Sequence, residues 1–324
     1  MVNAIRIHKN GGPDVMRFEE ITLPAPGPGE LLIKNRAIGL NFIDTYFRSG
    51  LYPVPRLPLV LGNESAGEVL AVGPNVAEFK AGDRVAAIST HGAYAEERIV
   101  PATSAVSLPA AISYEDAAGM LLKGFTAEYL LHRTYRVGPG ETILVHAAAG
   151  ATGLILSQWG KVLGATVIGT AGSKGKAELA KANGCDHVIL YREENVAARV
   201  REITGGAMCD VVYDGIGKDT FIASLDSLRS FGLLASFGNA SGAVEAFNLG
   251  VLASKGSLYV TRPTLNTYMA DRETTIAMAK NLFGAVASGK VSVPVNAKFP
   301  LKAAAEAHRA LESRGTTGST LLVP

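Results

Sequence analysis

Apolar positions along the chain fall into two textures that meet near residue 124. Before it, short runs rich in β-formers ("LLIKNRAIGLN", "ESAGEVLAVG", "DRVAAIS", "AYAEERIV") are broken by loops such as "PAPGPGE" and "PNVAEFKAGD". Closely spaced short strands with turn signals predict an all-β barrel or partly open barrel there. After it the runs alternate between strand and helix periodicity. "TILVHAA", "TVIGTAG", "HVILY", "CDVVYDGIG", "GLLASFG" and "GSLYVTR" read as six strands. "GLILSQWGKVLG", "KGKAELAKANG", "VAARVREITG" and "FIASLDSLRSFG" read as the helices between them. Such alternation predicts a doubly wound parallel sheet of the Rossmann type. The last segment has a helix over "ETTIAMAKNLFGAVASG", and "FPLKAAAEAHRALESRG" with the strand "STLLVP" is read as the return to the first domain. The expected class is α/β, with one domain over 1–123 and 265–324 and a second over 124–264.

Composition changes this picture little. The 324 residues are 48% hydrophobic and 19% charged, with net charge +2, an ordinary globular balance. The cations are scattered, so nothing favours nucleic acid as a partner. No apolar run approaches the roughly 20 residues of a membrane-spanning helix. No secretory signal pattern opens the chain, and a cytoplasmic location is expected. Two cysteines, Cys185 and Cys209, are too few for a disulfide framework and are read as small apolar residues beside buried strands. The histidines His8, His91, His132, His146, His187 and His308 show no ligand spacing, and no metal is expected.

The chemistry enters at "HAAAGATG", His146 to Gly153. A strand leads into it and a helix leaves it, the context of a dinucleotide phosphate turn. The usual G-x-G-x-x-G has Ala148 in its first glycine position, and a slightly wider turn is expected from that methyl. Gly150 allows close approach of a pyrophosphate, and Gly153 allows the helix to pack on the strand. The second strand ends in Gly172, Ser173, Lys174, Gly175 and Lys176, without the carboxylate that would bind a ribose 2′-hydroxyl. Two cations there favour a 2′-phosphate, hence NADPH over NADH.

Together with "GLNFIDTYFRSGLYP", "LVLGNESAGEVLAVG", "AGDRVA", "SFGNASG", "GSLYVTRP" and "ESRGTTGSTLLVP", these segments resemble the zinc-independent, ζ-crystallin-like quinone oxidoreductases of the medium-chain dehydrogenase/reductase superfamily. The resemblance spans essentially the whole chain. It implies a GroES-like β-barrel catalytic domain joined to a Rossmann domain, and NADPH-dependent reduction of quinones without metal. Zinc-dependent members read Gly-His-Glu where this chain has Gly62, Asn63 and Glu64. Their catalytic cysteine falls near Asn41 to Asp44. Asp44 and Glu64 are read as structural or hydrogen-bonding groups.

The resemblance also implies the site residues. Asn41, Tyr46 and Tyr52 would form the acceptor site, expected in the cleft between the domains, with Asn41 also near the cofactor. An amide can donate to a carbonyl oxygen, and tyrosines offer flat faces to a quinone ring. Gly150, Ala151, Thr152 and Gly153 would meet the pyrophosphate. Gly172, Ser173, Lys176, Tyr191 and Arg314 would take the 2′-phosphate and adenine ribose. Phe237, Gly238 and Asn239 would form the rim after the fifth strand, with Thr126, Tyr129, Thr261 and Arg262 nearby. Lys123 stands open between a site residue and a solvated lysine. One- and two-electron reduction both remain open, as does an enoyl-thioester or other conjugated-carbonyl reductase. A non-catalytic NADPH-binding protein is the more distant alternative. The run Gly256 to Arg262 reads as an outer strand whose open edge predicts a homodimer.

Overall fold

The computed structural model describes residues 1–313 and 315–324. They divide into two compact units: Met1–Lys123 with Thr275–Phe283 and Val293–Pro324, and Gly124–Thr274 with Gly284–Ser292.

The first unit contains strands β1 (Val2–Ile7), β2 (Met16–Ile21), β3 (Glu30–Gly39) and β4 (Leu59–Val60). It continues with β5 (Glu64–Val72), β6 (Arg84–Ile88), β7 (Glu97–Pro101) and β8 (Ala105–Ser107). The second unit carries β9 (Thr142–Val145), β10 (Thr166–Ala171), β11 (His187–Leu190), β12 (Cys209–Asp214), β13 (Leu228–Ser236) and β14 (Tyr259–Thr261). The chain closes with β15 (Val295–Pro300) and β16 (Ser319–Val323), back in the first unit.

In the first unit β3 is the hub. It pairs antiparallel with β5, β7 and β16 within a sheet ordered β15-β16-β3-β5-β6-β8. Its alternation buries Leu31 and Ile33 with Val69, Val85 and Val100. Farther along, Ile38 packs with Ile5, Ile7, Leu61 and Leu322. Each such side chain contributes about 1.5–3 kcal/mol on burial.

The expected all-β texture of this part is corrected by two helices, α1 (Phe42–Ser49) and α2 (Tyr114–Tyr129). The start of α2 was marked: Ser113 caps the Asp116 amide at 3.0 Å and donates to the Asp116 carboxylate at 2.6 Å. That reciprocal pattern is a helix-start signal.

The second unit is the predicted parallel sheet, ordered β11-β10-β9-β12-β13-β14. Its helices include α3 (Ala151–Val162), α4 (Lys174–Ala182), α5 (Val196–Ile203) and α6 (Phe221–Asp226). The helix expected over "FIASLDSLRSFG" stops at Asp226, because the Ser227 carbonyl is taken by the Cys209 amide at 2.9 Å. Leu228 then enters β13 opposite Cys209. Both cysteines are free and buried, and burial pushes the Cys185 thiol up to about 11.

A buried polar chain crosses the first unit. The Arg48 guanidinium donates to His308 Nδ1 at 2.8 Å and to the Glu312 carboxylate at 2.6 Å. His308 Nε2 therefore carries the proton and donates to the Tyr94 oxygen, 3.0 Å away. Tyr94 donates to Asp44 Oδ2 at 2.9 Å. Burial raises Asp44 from 3.8 to about 7. Burial, reinforced by Arg48, lowers His308 from 6.5 to about 3. Between pH 3.8 and 6.5, folding thus moves one proton from an imidazolium to a carboxylate.

The two groups impose opposite pH dependence. Asp44 stabilises the fold fully below 3.8 and loses this as pH rises to about 7. His308 stabilises it above 6.5 and loses this as pH falls to about 3. The two contributions offset each other in the wild type. In denaturation measured across pH 4–6.5 and taken as the difference from the wild type, Asp44→Asn should gain stability with rising pH and His308→Gln should lose it. Each slope should approach about 1.4 kcal/mol per pH unit. Equal slopes in the two variants would refute the assignment.

Candidate functional site

The acceptor-side candidates sit on and around α1. Asp44, third in the helix, reaches back to accept the Asn41 amide at 2.8 Å, which fixes the helix entry. Asn41 Nδ2 donates to Glu64 Oε1 at 3.0 Å, with a longer contact to the Gly39 carbonyl at 3.5 Å. The amide hydrogens of Asn41 are therefore engaged within the protein. Glu64 is fully buried, and it also accepts the Leu122 amide at 2.6 Å and the Lys123 ammonium at 2.5 Å. Gly39 makes room for this carboxylate, since a Cβ there would stand 2.2 Å from Glu64 Oε1. Lys123 is 5% exposed, so its reading as a solvated lysine is corrected: it is a buried cation paired with a buried anion. It lies in the middle of α2, between Leu121–Leu122 and Phe125, and this apolar setting is the sequence signal for its burial.

Tyr46 and Tyr52 are brought together. Gly50, at φ 86°, turns the chain after α1, and the Tyr52 amide bonds the Tyr46 carbonyl at 3.1 Å. Their rings meet edge to face at 5.2 Å. Phe47 joins edge-on to Tyr52 at 5.7 Å and to His91 at 4.6 Å. Tyr46 is buried and Tyr52 half-buried, giving a rigid aromatic cluster. No group of three or more His, Cys, Asp or Glu side chains among the described residues is arranged to hold a metal ion.

In the second unit the turn between β9 and α3 is built for close approach. Gly150 precedes α3 with extended backbone, and no side chain caps the helix. The amides of Ala151, Thr152 and Gly153 thus point out of the helix start, where an anion is favoured. A Cβ on Gly150 would meet only the Ala147 carbonyl, at 3.2 Å. The Ala148 methyl is housed by the neighbouring strand, where a Cβ on Gly169 would come within 2.7 Å of it. Gly153 is needed against the turn itself: its Cβ would lie 2.4 Å from the Ala147 carbonyl and 2.8 Å from Ala148 Cα. These observations fit a dinucleotide.

The 2′-phosphate candidates gather at the ends of β10 and β11. The Tyr191 amide bonds the Ala171 carbonyl at 3.2 Å, and the Tyr191 hydroxyl lies over Gly172, 2.7 Å from where a Cβ would stand. Ser173 caps α4 by accepting the Lys176 amide at 3.5 Å. Arg314 lies outside the described residues. After β13, the Phe237 amide bonds the Asp214 carbonyl at 2.8 Å. Gly238 presses on Gly215, whose carbonyl would be 2.3 Å from a Cβ. Asn239 accepts through its carbonyl from Gly242 at 2.9 Å. Thr261 ends β14, and Arg262 donates to the Ser236 carbonyl at 2.6 Å. Tyr129 is buried, hydrogen-bonds Thr126 and stacks on Tyr268 at 4.5 Å; burial raises its pKa.

Two family models match the chain: the alcohol dehydrogenase GroES-like domain over residues 27–141 and the zinc-binding dehydrogenase over residues 151–282. The chain is 52% identical to a quinone oxidoreductase of Pseudomonas aeruginosa, covering 100% of both. It is 46% identical to a 2-haloacrylate reductase of a Burkholderia species, covering 100% of this chain and 99% of that one. A crystal structure of Escherichia coli quinone oxidoreductase complexed with NADPH superposes with TM-score 0.98 at 52% identity, covering 99% of this chain and 100% of that one. A phosphate turn on a parallel sheet, a GroES-like unit and full-length identity of this order have one reading: the chain belongs to the quinone oxidoreductase family of the medium-chain dehydrogenase/reductase superfamily.

Proposed function

We propose that this protein is an NADPH-dependent quinone reductase whose own side chains, without a metal, handle the charge that develops on the acceptor. The observation that carries the cofactor choice is the carboxylate-free end of β10, Gly172 to Lys176, beside the Tyr191 hydroxyl. When bound, NADPH supplies hydride. The amides of Ala151 to Gly153 orient the pyrophosphate, and Lys176 with Tyr191 and Arg314 takes the 2′-phosphate. Phe237, Gly238, Asn239, Thr126, Tyr129, Thr261 and Arg262 complete the cofactor site in this reading. Tyr46 and Tyr52 seat the quinone ring. Asn41 orients the buried Glu64–Lys123 pair, and the Lys123 ammonium stabilises negative charge on the quinone oxygen.

A second reading has one specific support, the 46% identity to a 2-haloacrylate reductase. The same machinery would then serve a conjugated C=C acid or thioester.

We further infer a homodimer and a cytoplasmic location. β14 is the last strand of its sheet. Tyr259 on it is 61% exposed and Phe231 on β13 is 63% exposed, an apolar edge suited to a second copy. No helix among the described residues is long and apolar enough to cross a membrane.

The function is tested by following NADPH oxidation with ortho-quinones, para-quinones, enoyl thioesters and 2-haloacrylates, with a chelator present throughout. Simple quinones should react fastest and the chelator should leave the rate intact. Tyr52→Ala should raise the quinone KM or lower kcat while NADPH affinity changes little. Faster turnover of the conjugated acids or thioesters would establish the second reading, and loss of activity with zinc removal would end the metal-free one.

Cofactor choice is tested by Lys176→Ala. A charge-assisted contact is worth about 1.5–3 kcal/mol, so NADPH should weaken about tenfold or more, with little change for NADH. Equal weakening of both would make Lys176 structural.

Light scattering should give twice the 33.8 kDa chain mass. Tyr259→Asp, which sets like charges together at a two-fold edge, should shift the population to monomer with the fold retained. A wild-type monomer at micromolar concentration would contradict edge pairing.

A further inference from the structure

Four buried polar side chains, none of them used in the reading above, form one directed hydrogen-bond chain beneath the phosphate turn. Asp214 ends β12 and accepts the Ser224 hydroxyl at 2.8 Å. A serine hydroxyl has one proton, so the Ser224 oxygen accepts from His146 Nε2, 3.0 Å away. His146 is thereby the Nε2–H tautomer, and its Nδ1 is an acceptor. Thr170 Oγ1, 3.2 Å from that Nδ1, donates to it. The same Thr170 oxygen accepts the Ala147 amide at 3.2 Å. Each donor is used once, and the direction of every bond is forced. His146 is 4% exposed, and burial lowers its pKa, which keeps the imidazole neutral.

The far end of this chain is the most strained residue of the turn. Ala147 has φ 51°, in the left-handed region that a residue with a Cβ rarely adopts. Such a conformation persists only where the surroundings over-determine it. Here the Ala147 carbonyl accepts the Gly150 amide at 2.9 Å, and the Ala148 amide bonds the Thr170 carbonyl at 3.0 Å. The Thr170 hydroxyl adds the bond that holds the Ala147 amide. Asp214 also accepts the Ile216 and Gly217 amides at 2.8 and 3.1 Å and the Thr220 hydroxyl at 2.7 Å. One carboxylate thus ties the loop after β12 to the turn after β9.

We propose that Thr170, His146, Ser224 and Asp214 are positioning residues that hold the Ala147–Gly150 turn in the conformation that receives the pyrophosphate of NADPH. The inference rests on the NADPH reading above. Ser224 and Asp214 act on the turn only through His146 and Thr170.

The test pairs an isosteric loss with its rescue. Thr170→Val removes the hydroxyl and keeps the β-branched shape, Thr170→Ser restores the hydroxyl, and Ser224→Ala cuts the chain away from the turn. NADPH binding is measured by calorimetry, steady-state kinetics give KM and kcat, and ¹⁵N NMR reads the His146 tautomer. Thr170→Val and Ser224→Ala should each weaken NADPH about tenfold, the weight of one buried hydrogen bond acting on the site. The loss should appear in the NADPH KM with kcat nearly unchanged. Thr170→Ser should bind as the wild type does, and wild-type His146 should show the Nε2–H form. Unchanged NADPH affinity in Thr170→Val and Ser224→Ala, even with a lower Tm, makes the chain purely structural and overturns the proposal alone. An Nδ1–H wild-type tautomer also overturns it. A wild type that fails to bind NADPH overturns the cofactor reading and the proposal with it. If Ser224→Ala does not fold, the Thr170 pair decides.

Discussion

The buried ion pair of Glu64 and Lys123 is the constraint around which the start of α1 and the facing part of α2 are arranged. An uncompensated charge inside a protein costs several kcal/mol, so a carboxylate with no exposure must collect its donors from the protein. Glu64 does so from three places: the Asn41 side chain, the Leu122 amide and the Lys123 ammonium. Meeting that demand fixes the start of α1 and the middle of α2 relative to β5. It also explains Gly39, the point of β3 that faces the carboxylate. The chemistry proposed for the site uses the cation that this arrangement leaves in place.

A second buried carboxylate does comparable work in the parallel sheet. Asp214 stands at the C-terminal end of β12, where the strands of such folds present their ligand loops. It gathers amides and hydroxyls from its own loop and, through Ser224, His146 and Thr170, from the turn after β9. In both units an acidic side chain is kept from water so that loops can be held without mobile surface contacts. The Asp44–Tyr94–His308–Arg48 chain also spares a buried charge, since burial holds His308 neutral and keeps Asp44 protonated up to about pH 7.

The elements legible in the sequence were those with strong periodicity. All six strands of the parallel sheet were visible, because strands buried on both faces read as short apolar runs. The helices α1 and α2 were not, because α1 is short and rich in β-formers, and α2 is interrupted by Gly119 and Gly124 and follows a run of short strands. The cap at Ser113 and Asp116 was the available signal for α2. The departure at Ala148 was visible as a substitution, but its accommodation was not, since Gly169 lies on another strand. For the candidate site, the segment from Asn41 to Tyr52 and the glycines of the phosphate turn could be singled out by local pattern. The partners of Asn41 and the burial of Lys123 could not, because they lie 23 and 59 residues from Glu64 along the chain.

By itself the sequence determined the two textures of the chain, the strand–turn–helix context of "HAAAGATG", and the charge at the end of β10. These are local properties, set by side-chain periodicity, glycine placement and the sign of nearby charges. The tertiary structure decided which polar groups became partners: Glu64 with Lys123, Asp44 with Tyr94, and Asp214 with Ser224 and so with His146. Those pairings depend on residues brought together from distant parts of the chain. Only inside the packed protein, where water no longer satisfies them, does each buried charge or hydroxyl require one particular neighbour.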